Sequence, residues 1–466
     1  MTTATARGFT SEEIRAWLGL PAGGGTREYR GAASDSRHVR GGELFVAIPG
    51  ERVHGADFLE QAADAGARGA IVETGRERHD LPLEYFPVED PVAALGTVAK
   101  GARKRTSARV IAITGSSGKT TVKEMVALAV GDARNVYRTA GNLNSQVGLP
   151  LTILGAPDGA EVWVLEIGAS EPGEIARLAA IASPDDAIVT TVGPAHLEAF
   201  GTEARVLEEK LDLARGAAPT GYVVVGELPD ALPRAARAIR ADTIVAGLGP
   251  ECDVRPERAT VGGERISFER AGVSFELGVG GVHHLRDALI AVAIAEAIGV
   301  PSTAIAGGLA RYAPVGHRGA VVSIGRLTVL ADCYNANPES FRAALAQCRD
   351  RYAGRRLAAF AGSMLELGDH EAEAHRAVAR EIVDAGFAVV AATGAFAEGA
   401  VAATDEEVEV IAAVDPEDAR SPFLSSLRGD EVVLVKGSRG ARLERVLDWL
   451  EEAFGTADGH DPEDAA

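Results

Sequence analysis

A chain of 466 residues is too long for one ordinary hydrophobic core and predicts two to four domains. Lys and Arg number 47 against 67 Asp and Glu, a formal charge of −20 that argues against a nucleic-acid partner, whose phosphates demand clustered cations. The three cysteines, Cys252, Cys333 and Cys348, lack metal spacing and fit a reduced, cytoplasmic protein; no apolar run is long enough to span a bilayer, and the first residues lack a signal peptide's apolar core.

In chain order, Thr10-Ser-Glu-Glu13 predicts a capping box before a short helix, and 43–48 and 69–73 read as strands. The charged stretch 100–107 reads as a loop and a domain boundary. A β-branched run then enters a Gly/Ser turn, Val110-Ile-Ala-Ile-Thr-Gly-Ser-Ser-Gly-Lys-Thr-Thr121, and opens an amphipathic helix. Strands are expected at 162–166, 187–191 and 222–225, a small antiparallel meander between 252 and 281, and a long helix over 285–298. A third block starts near 315, with strands at 327–332, 357–361, 387–391 and 431–435, each followed by a helix in a doubly wound pattern. The acidic segment 456–466 reads as a disordered tail. The fold class is thus α/β with parallel sheets.

The Gly/Ser turn has the composition of a nucleoside triphosphate site. Backbone N–H groups of Gly115, Ser116, Ser117 and Gly118 and the helix start at Thr121 would face phosphates, Lys119 supplies a point charge, and the Thr120 hydroxyl suits Mg²⁺. The loop is shorter than the full Walker form, with Ile113 where a Gly is expected. Glu166 ends an apolar strand, where a carboxylate suits Mg²⁺. His196, in the loop after another strand, is balanced between packing residue and second metal ligand, while the Glu-Glu-Lys around Lys210 reads by periodicity as a solvated helix face. Asn142 and Asn144 form a polar loop; Tyr334-Asn-Ala-Asn-Pro338, with Asn335 and Asn337, follows the first strand of the third block, where a ligand would be read.

These segments in this order resemble the Mur ligase family of ATP-dependent amide-bond-forming enzymes, over nearly the whole chain. The family's shortened loop, Thr114-Gly-Ser-Ser-Gly-Lys-Thr120, is present, as are Ser34-Asp-Ser-Arg37 with Gly42-Glu-Leu-Phe-Val-Ala-Ile48, Gly141-Asn-Leu-Asn144, Asp332-Cys-Tyr-Asn-Ala-Asn-Pro338 and Met364-Leu-Glu-Leu-Gly368. The resemblance implies a UDP-sugar-binding domain over 1–105, a central P-loop ATPase domain carrying the meander over 106–314, and a C-terminal Rossmann-like ligase domain over 315–455. It implies a cytoplasmic monomer that joins D-alanyl-D-alanine to UDP-N-acetylmuramoyl-tripeptide through an acyl phosphate, using ATP and two Mg²⁺, with neither nucleic acid nor membrane insertion. It assigns Lys119, His196 and Lys210 to catalysis, and Thr120, Glu166, His196 and a Lys210 carbamate made from CO₂ to the metals. Ser36 and Arg37 match uridine-nucleotide contacts, Arg318 an arginine that reaches ATP, and Asn142, Asn144, Asn335 and Asn337 substrate positions. Lys436-Gly-Ser-Arg439 matches a late family motif. Three positions depart from the pattern: His284 and Asp287 stand for two amides on the adenine-side helix, Gly316-His-Arg318 replaces Pro-Gly-Arg, and Gly362-Ser-Met replaces Gly-Asp-Met. Two rivals remain at this point. A folylpolyglutamate synthase-like ligase would lack the Ser-Asp-Ser-Arg block, and a P-loop regulator would need neither Lys210 nor the Tyr-Asn-Ala-Asn-Pro cluster.

Overall fold

The computed structural model describes residues 7–455 except 24, 51, 195, 263–264, 317 and 402–407. The expected tail at 456–466 lies outside the described residues. Two compact units are formed, one drawn from Met1–Thr191, Glu208–Arg255 and Leu289–Gly308, the other from Val192–Leu207, Pro256–Ala288 and Leu309–Ala466.

The first unit holds two parallel sheets. A four-stranded one runs in the order Ala32–Ala33, Leu44–Val46, Gly69–Glu73, Glu84–Val88. Ahead of it, Thr10 caps the helix Ser11–Leu18 with the expected capping box. The six-stranded sheet has the order Ile244–Ala246, Val223–Gly226, Asp186–Val189, Arg109–Thr114, Val162–Glu166, Val136–Arg138, all parallel. Val110 to Ile113 and Val162 to Leu165 are buried, as continuous apolar runs in a sheet covered on both faces should be.

At the amino end of this sheet Asp186 is fully buried and takes a bidentate pair from Arg109 (2.6 and 2.7 Å) and the Tyr222 N–H (2.8 Å). Asp186→Ala strands the guanidinium at a half-buried position, and we expect a loss of about 3 kcal/mol, read as a lower denaturant midpoint with unchanged slope.

The charged stretch 100–107 corrects one expectation. Its first residues complete the helix Pro91–Arg103, and Arg103 is buried rather than loop-exposed. Its guanidinium donates to the carbonyls of Ala182 (2.9 Å) and Ser183 (3.1 Å) and pairs with Asp185. An arginine can bury its stem and still satisfy its fork on helix-end carbonyls, which a reading of charge alone misses.

In the second unit, Arg258–Val261, Ile266–Arg270 and Val273–Leu277 form the expected antiparallel meander. The larger sheet is mixed. Its order is Ala320–Ile324, Leu327–Asp332, Val432–Lys436, Leu357–Ala361, Phe387–Thr393, Glu409–Ala413, with only the first strand antiparallel. Helices cover both faces. Phe341, Val378 and Phe396 pack on one, Phe423, Val446 and Trp449 on the other. Because Val432–Lys436 lies between Leu327–Asp332 and Leu357–Ala361, the chain crosses over it, and a crevice opens at the carboxyl ends of these strands. Among the described residues no helix is long and apolar enough to cross a membrane, and Cys252, Cys333 and Cys348 are free thiols.

Candidate active site

In the first unit the strand Arg109–Thr114 runs directly into the phosphate loop and the helix Lys119–Gly131. Two glycines make the turn possible. Gly115 has φ +152°, and a Cβ there would stand 2.0 Å from the Thr190 hydroxyl. Gly118 caps the helix at φ +80°, a left-handed position that leaves the first N–H groups without a side-chain cap. The Ser116 N–H is tied to the Thr191 carbonyl (2.8 Å), and the Lys119 ammonium donates to the Gly115 carbonyl (2.7 Å), so lysine and loop form one element.

Beside the loop, the Glu166 carboxylate is buried and receives donors on both oxygens. Thr120 Oγ1 donates to Oε2 (2.9 Å), Asn144 Nδ2 donates to Oε1 (2.7 Å), and the Thr139 hydroxyl accepts the Glu166 N–H (3.0 Å). Lys123 completes the cluster. Its side chain is 0% exposed, and Nζ lies 3.5 Å from Glu166 Oε2 and donates to the Gly141 carbonyl (3.0 Å). Thr120, Glu166 and Asn144, read separately along the sequence, are thus one site. Residue pattern alone does not single out Lys123 or Thr139. The signal for Lys123 was faint: a lone cation among Val122, Met125 and Val126 on a helix whose other face is also largely buried.

Lys210 overturns the solvated-face reading. It is 1% exposed, on the helix Glu203–Gly216, and its neighbour Glu209 is buried as well. Glu209 accepts from the N–H groups of Gly173 (2.7 Å) and Ile175 (2.8 Å), capping the helix Glu174–Ala182 through space. Burial pulls the Lys210 amine down to about 7; repulsion from Lys119 adds to this, and Glu209 and Glu174 oppose it.

On the four-stranded sheet, Asp35 caps the short helix Ser36–His38 and pairs with Arg37 (2.6 Å). Ser36 is buried and its hydroxyl donates to Gln61 (2.8 Å), whereas the Arg37 side chain reaches into solvent.

His196 belongs to the second unit. Its Nδ1 meets the Glu366 carboxylate at 2.6 Å, and both residues adopt left-handed backbone, φ +53° and +66°. The imidazole holds Glu366 below the usual carboxylate range. Glu366 belongs to the Met364-Leu-Glu-Leu-Gly368 segment, but its partner was not foreseeable, since spacing says nothing about a contact 170 residues away in sequence.

In the crevice, Lys436 is buried and pairs with Asp332, with the Asn335 carbonyl 3.3 Å away. Asn337 caps the helix Pro338–Arg351 in a capping box with Ser340, and Asn335 Oδ1 accepts the Ala336 N–H (2.9 Å). Arg318 stacks on the Tyr334 ring, its guanidinium carbon 3.7 Å from the centroid. His284 is buried, and its Nδ1 donates to the Gly280 carbonyl (2.7 Å). Burial lowers His284, and burial with Glu339 raises Asp287 well above the carboxylate range, so both favour their neutral forms.

The oxygen donors around Glu166 and Thr120 are of the hard type that Mg²⁺ takes, and they fit that ion. Comparison with known proteins points to one family. Residues 28–103 match the Mur ligase family catalytic domain, 113–295 the Mur ligase middle domain, and 317–439 the Mur ligase glutamate ligase domain. The UDP-N-acetylmuramoyl-tripeptide–D-alanyl-D-alanine ligase of Bacillus subtilis is 31% identical over 438 residues, 91% of this chain and 93% of that protein. The Escherichia coli protein of the same name is 32% identical over 428 residues, 90% and 93% of the two chains. MurF from Acinetobacter baumannii superposes with a TM-score of 0.85 at 27% identity, covering 96% of this chain and all (100%) of the other. MurF ligase from Thermotoga maritima, solved in complex with ADP, gives 0.78 at 30% identity, covering 91% and 98%. Phosphate loop, crevice and full-length similarity together lead to one conclusion: the chain belongs to the Mur ligase family of ATP-dependent, amide-bond-forming enzymes.

Proposed function

We propose that this chain joins D-alanyl-D-alanine to UDP-N-acetylmuramoyl-tripeptide in peptidoglycan precursor synthesis, with ATP converted to ADP and phosphate. The observation that carries the reading is similarity at 31–32% identity along about nine-tenths of the chain to relatives bearing that one name. We assign 1–105 to the UDP-sugar, 106–314 to ATP and 315–455 to the acceptor.

A carboxylate is a poor electrophile, so the first step moves the γ-phosphoryl group of ATP onto the terminal carboxylate of the tripeptide, giving an acyl phosphate and ADP. The acceptor amine then attacks the acyl carbon; the C–O bond to phosphate breaks, and the amine loses a proton. Positioning and charge neutralisation carry such a reaction. Lys119 and the loop N–H groups gather the phosphates. Thr120 and Glu166, with His196 and a carbamylated Lys210, would hold two Mg²⁺, which when bound neutralise the charge on the transferring phosphoryl group. Carbamylation makes chemical sense of Lys210: a neutral amine adds to CO₂ and releases a proton, turning a cation that would repel Mg²⁺ into an oxygen ligand. Arg318 and His284 serve the nucleotide, Ser36 and Arg37 the uridine, and Asn142, Asn144, Asn335 and Asn337 the peptide substrates.

The test is incubation with ATP, UDP-N-acetylmuramoyl-tripeptide and a panel of acceptors, followed by mass measurement. A product heavier by one D-alanyl-D-alanine residue pair is expected. Ligation of a different acceptor, with D-alanyl-D-alanine refused, defeats the assignment.

A further inference from the structure

Most polar side chains at the carboxyl edge of the second unit's large sheet are already committed. Lys436 is bound to Asp332, Asn337 Oδ1 accepts the Ser340 N–H at the start of a helix, and the Ser438 hydroxyl accepts the Leu365 N–H (3.0 Å) and donates to the Ala336 carbonyl (3.3 Å). Two guanidinium groups differ. Arg318 and Arg439 converge on one ring, Tyr334, with guanidinium carbons 3.7 and 5.5 Å from its centroid. Arg439 also donates to the Tyr334 hydroxyl, at 3.4 Å. Among the described residues neither pairs with a carboxylate, although the chain carries 67 Asp and Glu against 47 Lys and Arg.

Placing two cations on one tyrosine costs mutual repulsion, which an anion would relieve. Arg439 follows the strand Val432–Lys436 and Tyr334 follows Leu327–Asp332, neighbouring strands of the crevice, so the pair sits where a small ligand docks on a doubly wound sheet. A planar guanidinium fork matches a carboxylate with two parallel hydrogen bonds. The triphosphate has a built site in the phosphate loop, whereas the acceptor's own carboxylate has no partner assigned. We infer that Arg439, levelled by Tyr334, holds the free carboxylate of the incoming acceptor and makes that carboxylate a requirement for ligation. The inference rests on the reading above for the identity of the acceptor and on the crevice alone for its chemistry.

The experiment compares D-alanyl-D-alanine with its C-terminal amide as acceptors, in the intact enzyme and in Arg439→Met and Arg439→Lys. Arg439 is exposed, so the variants should melt with the parent. The parent should prefer acid over amide by about 30-fold or more in kcat/KM, the scale of one charged hydrogen-bonded contact. Arg439→Met should erase that preference by raising KM for the acid, with KM for ATP unchanged, and Arg439→Lys should restore part of it. An unchanged acid-to-amide ratio in Arg439→Met overturns the inference. A rise in KM for ATP alone also overturns it, transferring the arginine to the nucleotide. If another acceptor replaces D-alanyl-D-alanine, the proposed function fails, and the same ratio measured on that acceptor and its amide still decides the role of Arg439.

Discussion

Lys210→Ala is expected to lower kcat by about 10³-fold, the effect of removing the charge-neutralising ligand proposed for this phosphoryl-transfer site, while the protein remains folded. The side chain is buried beside Glu209, whose carboxylate caps a helix whether or not the lysine is present. Lys210→Arg should be equally inactive, because a guanidinium keeps its charge and does not form a carbamate. The parent enzyme should lose activity in buffer stripped of CO₂ and regain it on adding bicarbonate; neither variant should respond. A Lys210→Ala enzyme with more than a tenth of parental kcat would end the carbamate role.

The lowered amine also predicts a pH dependence with a definite sign. Lys210 titrates near 7 in the folded chain against 10.5 in the reference state. Between those values the unfolded chain binds the extra proton, so this residue's contribution makes stability rise with pH across that window. Below about 7 the contribution is flat, with the cost of a buried ammonium fully present. Denaturant midpoints measured from pH 6.5 to 9.5 without CO₂ should climb more steeply in the parent than in Lys210→Met, and parallel curves would contradict the burial argument. Carbamylation draws on the same neutral amine, so CO₂ uptake should increase with pH over the lower part of that range.

The strands are legible in the sequence because a strand buried on both faces must be apolar throughout. The runs 162–166, 327–332 and 357–361 coincide with the observed strands to the residue. The phosphate loop is equally plain, since a left-handed Gly118 before Lys119 has few substitutes. Polar residues that act through burial are not legible. Lys210 sits two residues after the solvent-facing Glu208, and a residue-type pattern does not distinguish a buried Glu209–Lys210 pair from a wet one. Lys123 and Glu366 share this fate, because their meaning lies in partners, Glu166 and His196, that only the fold supplies. The family resemblance singles out Lys210 where periodicity does not, and the burial of its side chain is what the fold adds.

Glu166→Gln exposes the logic of the metal-side cluster, because the substitution conserves shape and changes only which atoms can accept. In the parent every neighbour donates: Thr120 Oγ1 and Lys123 Nζ toward Oε2, Asn144 Nδ2 toward Oε1. A glutamine offers one acceptor oxygen and one NH₂ group. If the NH₂ faces Asn144, two amide donors oppose each other across a contact of 2.7 Å in the parent. If it faces Thr120 and Lys123, the hydroxyl can turn to accept, but the buried ammonium confronts another donor and keeps only Glu124, 3.4 Å away, of its two carboxylate partners. The first orientation leaves a buried donor unsatisfied and the second sets the amide against the Lys123 ammonium, either at a cost of about 1–3 kcal/mol in stability. The catalytic loss should be larger, about 10²-fold or more in kcat, because the Mg²⁺ site proposed above would lose a full negative charge as well as its anchor for Thr120. The double variant Glu166→Gln with Lys123→Met separates the two effects. Removing the ammonium, whose one remaining carboxylate partner is then Glu124, should return part of the stability and none of the activity, since methionine fills the buried stem's space while the Glu166 carboxylate remains absent. Recovery of kcat in the double variant would mean that Glu166 serves only to neutralise Lys123, and the metal role would fall.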